Sequence, residues 1–352
     1  MKKVFLVISL LFSLVLLSSC ANKNDIKPPI EDSKPQDTKQ TLTIRDYSYK
    51  ENTNYVYKGE GNEYASYNLF VDYIEGNRVQ IRSNNGGTEM VKVLENNDGE
   101  LTLLFSREET YYRENLIQSP VNNSEILLKE PLEVGTSWTL VDGRKRSITN
   151  VEVDVTTPAG AVKALEVTTE GKDENKTQDY YAPNIGLVKT IFTSDGVVVS
   201  SSLSKLENNV PLTQTVKFFY PNVNSDKLYY LNKKLSFKTN DLTKSVFEKA
   251  FKELPKGDIS KVLGPNVKIK SLYLNKDNMV YVDFTKELVS EMNAGAGYET
   301  LILQSITNTL GNYYGVDKVY ITIEGSPYAS GHYMMKKGEF FKVDLKNSVE
   351  FR

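Results

Sequence analysis

The chain has 352 residues, a formal net charge of −2, 39% hydrophobic and 25% charged side chains. This composition supports folded domains, about two by length beside flanking segments, and the missing basic excess excludes a nucleic-acid partner. A single cysteine, Cys20, and a single histidine, His332, exclude an intrachain disulfide and a zinc site of His and Cys ligands.

In chain order, Lys2-Lys3 precede an apolar run from Val4 to Leu17, which leads into Ser18-Ser19-Cys20. A charged start, a short apolar core and small residues before a cut describe a secretory signal peptide over 1–19. The run is shorter than the ~20 residues a spanning helix needs. Leu17-Ser18-Ser19-Cys20 resembles the bacterial lipobox, which implies lipid attachment at Cys20. Two acyl chains there would anchor the chain stably, placing it outside the cell and on the cell membrane. Residues 20–40 hold Pro28, Pro29 and Pro35 among Lys, Asp, Asn and Gln, a composition for a disordered tether.

From 41 to 206 short alternating runs are separated by turn chemistry. Asn68 to Ile74 and Arg78 to Arg82 flank Glu75-Gly76-Asn77, Asn84-Asn85-Gly86-Gly87 precedes Glu89 to Leu94, and Asn96-Asn97-Asp98-Gly99 precedes Leu101 to Phe105. Asn-Gly and Asp-Gly steps between alternations are strong hairpin signals. Val151, Val153 and Val155 resume the pattern, followed by the turn Thr157-Pro158-Ala159-Gly160 and a strand through Val167. These runs predict an antiparallel β domain, either a curved sheet or an open barrel. Trp138, after Pro131 to Ser137, and Tyr181, before the loop Ala182 to Gly186, are either core or the walls of a ligand cavity.

Residues 207–214, with Asn208-Asn209 and Pro211, read as a linker, and 215–352 as a second domain. Val216 to Pro221 and Leu228 to Leu231 are strands. A helix capped by Asn240 or Asp241 follows, with Leu242, Val246, Ala250, Phe251 and Leu254 as its apolar stripe. Pro255-Lys256-Gly257 stops it. Val267 to Leu274 and Met279 to Phe284 are strands joined by Asn275 to Asn278. A second helix carries Ile302, Leu303, Ile306, Leu310 and Tyr313 on one face and ends near Gly315, a left-handed cap. Gly311 within it suggests close packing of the helix on the sheet. Val319 to Ile323 returns to the sheet, and a hairpin of His332 to Met335 and Phe340 to Val343 closes the domain.

The order of Val216, the helix from Leu242, Leu272-Tyr273-Leu274, Val280-Tyr281-Val282-Asp283-Phe284, Gly297-Tyr298-Glu299, Ile306 to Leu310, Gly315 to Val319 and Glu324-Gly325 resembles the GerMN domain of sporulation and spore-germination lipoproteins. The resemblance covers about Val216 to Pro327. It implies a small α/β unit with two helices packed on a sheet, no known enzymatic activity, and a part in assembling an envelope complex. The overall fold class expected is α+β. This chain differs from the germination protein of that family, which carries two such domains in tandem, by placing a β domain first.

The acidic candidates of the second domain are Asp283, Glu287, Glu291, Glu299 and Glu324. A wall-cleaving glycosidase needs two carboxylates roughly 5–9.5 Å apart across a cleft, and no spacing here forces such a pair. Asp283 alternates away from the Val280/Val282/Phe284 face, which suits a solvated or capping role. Glu299 falls in the first helical turn, where an acid favours the dipole. Ser326 lacks a nucleophile elbow and His332 a paired nucleophile. No catalytic residue, metal or cofactor is assigned. The expectation is a non-enzymatic, membrane-anchored envelope lipoprotein that assembles or interacts with sporulation-complex proteins, with peptidoglycan as a further contact. The alternative is a ligand-binding lipoprotein whose β domain holds an apolar molecule or cell-wall glycan.

Overall fold

A computed structural model describes residues 41–171, 175–222, 224–254 and 259–351. The signal peptide, Cys20, the tether over 20–40 and the Pro255-Lys256-Gly257 stop lie outside them. From Leu42 onward the chain forms one compact unit. Among the described residues no helix is long and apolar enough to cross a membrane.

The first half is one sheet of 12 strands. In chain order they are β1 (Thr53–Glu60), β2 (Tyr67–Glu75), β3 (Arg78–Asn84), β4 (Glu89–Asn97), β5 (Glu100–Arg107) and β6 (Glu125–Lys129). Then come β7 (Ser137–Thr139), β8 (Lys145–Thr157), β9 (Gly160–Glu170), β10 (Lys176–Ala182), β11 (Gly186–Ser194) and β12 (Val197–Asn208). The strands pair in the order β6-β5-β4-β3-β2-β1-β12-β11-β10-β9-β8-β7, antiparallel at each step. The hairpin chemistry read from the sequence works as expected. Asp98 and Gly99 both have positive φ (50° and 74°), the backbone that a two-residue hairpin between right-twisted strands requires. Alternation then sends Leu69, Val71, Ile81, Leu94 and Leu103 into one buried cluster.

The two end strands of this sheet, β6 and β7, share no ladder, and side chains bridge the gap. Trp138 on β7 donates its indole N–H to the Ile126 carbonyl of β6 at 3.0 Å. Arg146 on β8 donates to the same carbonyl and to Glu125, each at 2.7 Å. The result is an open barrel with a sealed seam, one of the two shapes the strand pattern allowed.

β12 ends at Asn208 and β13 (Leu212–Pro221) begins three positions after Asn209. β13, β14 (Leu228–Phe237) and the C-terminal β20 (Ser348–Glu350) make a three-stranded sheet. A second sheet holds β15 (Ile269–Leu274), β16 (Val280–Phe284), β17 (Lys318–Ile323) and β18 (Ser326–Pro327), with β19 (Phe341–Lys342) added on β17. β16 and β17 are parallel. The crossover between them contains the short α2 (Glu287–Ser290) and the long α3 (Ala296–Tyr314). With α1 (Thr243–Lys252) these helices and both sheets share one core of Phe218, Phe247, Phe251, Val280, Ile306 and Leu310.

Several local expectations change. α1 starts at Thr243, and its cap position, Leu242, makes no side-chain capping bond. Asn240 and Asp241 are used elsewhere: Asn240 Oδ1 accepts from the Ile74 N–H at 2.8 Å and Asp241 Oδ2 from the Lys238 N–H at 2.7 Å. The buried stripe is therefore Thr243, Phe247, Ala250 and Phe251, while Leu242 and Leu254 are exposed beyond the helix ends. α3 is buried on more than its apolar stripe, because Ser305, Thr307, Asn308 and Thr309 are also enclosed. Two of them serve neighbouring backbone: Thr309 Oγ1 accepts from the Phe219 N–H at 3.0 Å, and Asn308 brackets the backbone of Asp344. Gly315 takes the left-handed cap expected of it (φ 68°). The closing hairpin does not form as a ladder. Met334 bridges Ala329, and β19 instead pairs with Lys318 and Val319 of β17, which offered an unpaired edge.

Gly311 is crowded by the segment after β19 and by the helix's own exit rather than by the sheet face. A Cβ there would collide with Val343 Cγ2 and lie 2.8 Å from the Val316 carbonyl oxygen. Gly311→Ala is expected to cost about 1–3 kcal/mol through overpacking, despite alanine's better helix propensity. A lower urea midpoint with unchanged helical circular dichroism is the sign to look for; a stabilised variant would show that the segment moves aside freely.

Candidate functional site

The open barrel encloses a lumen of about 450 Å³, within the range of small-molecule sites, about 300–1,000 Å³. Its walls combine three kinds of side chain. Leu69, Ile81, Leu94, Leu101 and Leu103 supply apolar surface, Tyr49, Tyr67 and Tyr181 supply rings, and Lys92, Glu125, Arg146 and Asp179 supply charge. The strand period explains the placement: on β4, Met90, Lys92 and Leu94 face the same side, opposite Ser83, Ile81 and Val79 of β3 in the ladder. Tyr64, 55% exposed, and the turn from Asn85 to Thr88 form the rim.

The charges are unequal in their surroundings. Arg146 is buried and ion-paired with Glu125, and its Nε donates to Thr169 Oγ1 at 2.7 Å. Asp179 accepts from Thr190 Oγ1 at 2.6 Å, and burial nevertheless pushes its carboxyl up. Burial pushes the Lys92 ammonium down, against the opposing pull of Glu125 and Asp179. Burial and then the Asp179 charge hold the Tyr181 hydroxyl well above the ordinary tyrosine range. Both aromatic candidates read from the sequence belong to the barrel's buried cluster; Tyr181 also lines the lumen, whereas Trp138 sits in the seam.

A second concavity, about 420 Å³, lies beside the N-terminus of α3. Glu299 there is nearly enclosed (3% exposed). Its Oε1 accepts from the Tyr328 hydroxyl, and its Oε2 meets His332 Nδ1, both at 2.6 Å. Glu299 thus orients the sole histidine, a pairing across 33 positions that no local pattern announces. Burial raises this carboxyl, but hydrogen bonds from Ser330, Tyr328 and His332 more than offset that and hold it below its ordinary 4.5. A depressed carboxyl contributes stability above its unfolded value, and the contribution is lost as pH falls through the folded value. Glu299→Gln should therefore cost about 1–2 kcal/mol at neutral pH, with the gap to the native chain closing as pH drops below about 4.5. Melting curves across pH 3–7 on both chains read this directly, and a gap independent of pH would refute it.

The remaining acids are occupied away from this concavity. Asp283 Oδ1 accepts from Thr322 Oγ1 at 2.7 Å and from the Gly325 N–H at 2.8 Å, tying β16 to the β17–β18 turn. Glu324 is ion-paired with Lys270, which also approaches Asp283 at 3.9 Å. Glu291 accepts from Asn266, and Glu287 opens α2. The concavity beside α3 therefore contains a single carboxylate, Glu299, and no two of the five acids line it together. Among the described residues no cluster of three or more His, Cys, Asp or Glu side chains is placed to hold a metal.

Comparison with known proteins bears on the second half. Residues 218–329 match the family named Germane, described as sporulation and spore germination. The resemblance read from Val216 to Pro327 thus holds for the C-terminal domain. Among solved structures, the chain is similar to the tandem GerMN domains of the sporulation protein GerM from Bacillus subtilis, at 23% identity and a TM-score of 0.27 over 33% of this chain. It spans 41% of that tandem structure. The first GerMN domain of the same protein aligns at 22% identity and a TM-score of 0.26, covering 33% of this chain and 86% of that one. A protein described as exported, with a YmcC-like fold, from Bacteroides fragilis aligns at 13% identity and a TM-score of 0.28, covering 46% of this chain and 98% of that one. No curated protein matches the chain.

Proposed function

We propose that this chain is a non-enzymatic envelope lipoprotein, held on the outer side of the cell membrane by lipid on Cys20, that assembles or interacts with protein partners in sporulation or spore germination. The family match over 218–329 carries this reading. The charged, apolar and small-residue order from Lys2 to Cys20 supports export and anchoring. In this reading 41–206 and 215–352 are two working parts on a tether of 20–40, and the second offers the surface to envelope partners, with peptidoglycan as a further contact. Crosslinking in sporulating cells followed by purification of the chain tests it. Recovery of envelope proteins of the sporulation machinery is expected, and recovery of none would count against it. Palmitate labelling should disappear in Cys20→Ser, and labelling that persists would overturn the anchor. Purified chain should release no muropeptides from isolated wall.

A second reading is favoured by one observation, the lumen of about 450 Å³: the β domain holds a small ligand. The apolar wall admits an apolar molecule, and the tyrosine hydroxyls admit a cell-wall glycan. Native mass spectrometry of the purified chain tests this, since a co-purified mass supports it and an empty lumen with no binding to wall or lipid does not.

A further inference from the structure

Nearly every charge in the lumen has a protein partner. Arg146 and Glu125 hold each other at 2.7 Å, and Asp179 accepts from Thr190. Lys92 is different. Its side chain lines the same space and among the described residues makes no hydrogen bond and no ion pair, with Glu125 and Asp179 acting on it only from a distance. An ammonium carries three donors and no acceptor, and burying one without acceptors is costly. The hydroxyls of Tyr67 and Tyr181, on the same walls, also have no hydrogen-bond partner among the described residues. Beside them part of the wall is aliphatic, supplied by Leu94, Leu101 and Leu103. Moving inward from the Asn85–Thr88 rim, β4 presents Met90, then Lys92, then Leu94, and Leu94 is paired with Leu103 of β5. The lumen therefore combines a leucine-rich wall with polar and charged side chains, and part-way down it holds one cation without a hydrogen-bonded partner.

We propose that the lumen binds a small amphiphile whose single acidic head, a carboxylate or a phosphate, sits on Lys92 and whose apolar body lies along Leu94, Leu101 and Leu103. This rests on the ligand-holding reading above and narrows its ligand class. The acid answers the one charge that the protein leaves open, and the aliphatic wall buries methylenes, which a glycan does not supply. Binding of a neutral apolar molecule would leave Lys92 as it stands. The free tyrosine hydroxyls donate to the second oxygen of the head, in the manner of the few placed polar groups of apolar sites.

Calorimetric titration of the purified full-length chain with dodecanoate, dodecyl phosphate, dodecanol and a muropeptide disaccharide tests the assignment. The two acids are expected to bind at least about tenfold more tightly than dodecanol, as befits a charge-assisted hydrogen bond. Whichever acid binds better identifies the source of the head group. Lys92→Met should bring both acids down to the level of the alcohol, and Lys92→Arg should keep the preference; unchanged Trp138 fluorescence certifies that both variants are folded. Equal binding of acid and alcohol, or an unaltered preference in Lys92→Met, would overturn the head-group assignment and leave a ligand-holding lumen standing. Binding of the disaccharide alone would overturn the ligand class. Binding of none would overturn both the class and the reading beneath it.

Discussion

Replacing Arg113 with alanine is expected to destabilise the chain by about 3–5 kcal/mol, the cost of stranding the partners of a buried charge. Arg113 is fully enclosed on the long connection between β5 and β6, where the barrel meets the helical half. Its NH2 donates to the carbonyls of Asp72 at 2.7 Å and Lys238 at 3.0 Å, and its NH1 to the Tyr73 hydroxyl at 3.0 Å and to the Asp241 carbonyl. The guanidinium lies over the Tyr73 ring at 4.2 Å and the Phe237 ring at 5.1 Å. Asp72 is equally enclosed, 3.5 Å from Arg113 Nε and 3.1 Å from Arg82. Removing Arg113 therefore takes a donor from carbonyls of both halves, although Asp72 and Lys238 keep the N–H groups of Asn240 and Asp241, and leaves the buried Asp72 carboxylate with one cation fewer beside it. Lysine keeps the charge but not the planar fork, so Arg113→Lys should recover only part of the loss. Urea unfolding followed both by Trp138 fluorescence, which reports the barrel, and by helical circular dichroism, which reports the second half, reads the result. Coincident transitions in the native chain should separate in Arg113→Ala. A loss below about 1 kcal/mol, the size of an ordinary substitution, would mean that the junction is held by its other contacts. Those include the bonds of Asn240 with Ile74 and Asp72, the reciprocal bonds of Asn52 with Thr239, and the Tyr313 hydroxyl on the Arg113 N–H.

The parts of this fold that follow from neighbours in sequence were legible, and those that depend on distant partners were not. Asp98-Gly99 dictates its own hairpin, and Gly315 its own helix end, because each needs only a backbone state that few residues adopt. Alternation likewise identified the strands, but for Tyr181 the sequence left core and cavity wall as alternatives, and the residue serves both. The start of α1 was misplaced because Asn240 and Asp241 are good caps that the fold uses at the junction and in a turn instead. The enclosed polar face of α3 was hidden for a similar reason: Thr309 and Asn308 look solvated until β13 and the segment at Asp344 arrive. Arg113 sits in a stretch without periodicity, and its partners lie up to 200 positions away. Lys92 did leave a local trace, a lysine on the inward register between Met90 and Leu94. Its meaning depends on what the other strands place around it.

The seam supplies the other large effect. Arg146→Ala is expected to cost about 2–3 kcal/mol, below the range of about 3–5 for fully buried pairs, because Glu125 keeps 28% of its side chain in solvent. The lost interactions are the ion pair with Glu125, the bond to the Ile126 carbonyl and the bond to Thr169. The consequence is local as well as global. β6 and β7 are the unladdered ends of the sheet, so the side-chain bonds from Arg146 and Trp138 are what keep their edges together. Without Arg146 only the indole bond remains on the Ile126 carbonyl, and a seam held by one bond opens more often. Amide hydrogen exchange should therefore accelerate in Glu125–Lys129 and Ser137–Thr139 far more than in β13 or α3. Acceleration spread evenly over the chain would show a general loss of stability in place of an opened seam. The same opening would expose the leucine wall of the lumen to water. A dye that fluoresces on apolar surface should then bind Arg146→Ala more strongly than the native chain, and a matching Trp138→Phe variant, which keeps an aromatic ring but loses the indole donor and some buried volume, should do so more weakly than Arg146→Ala.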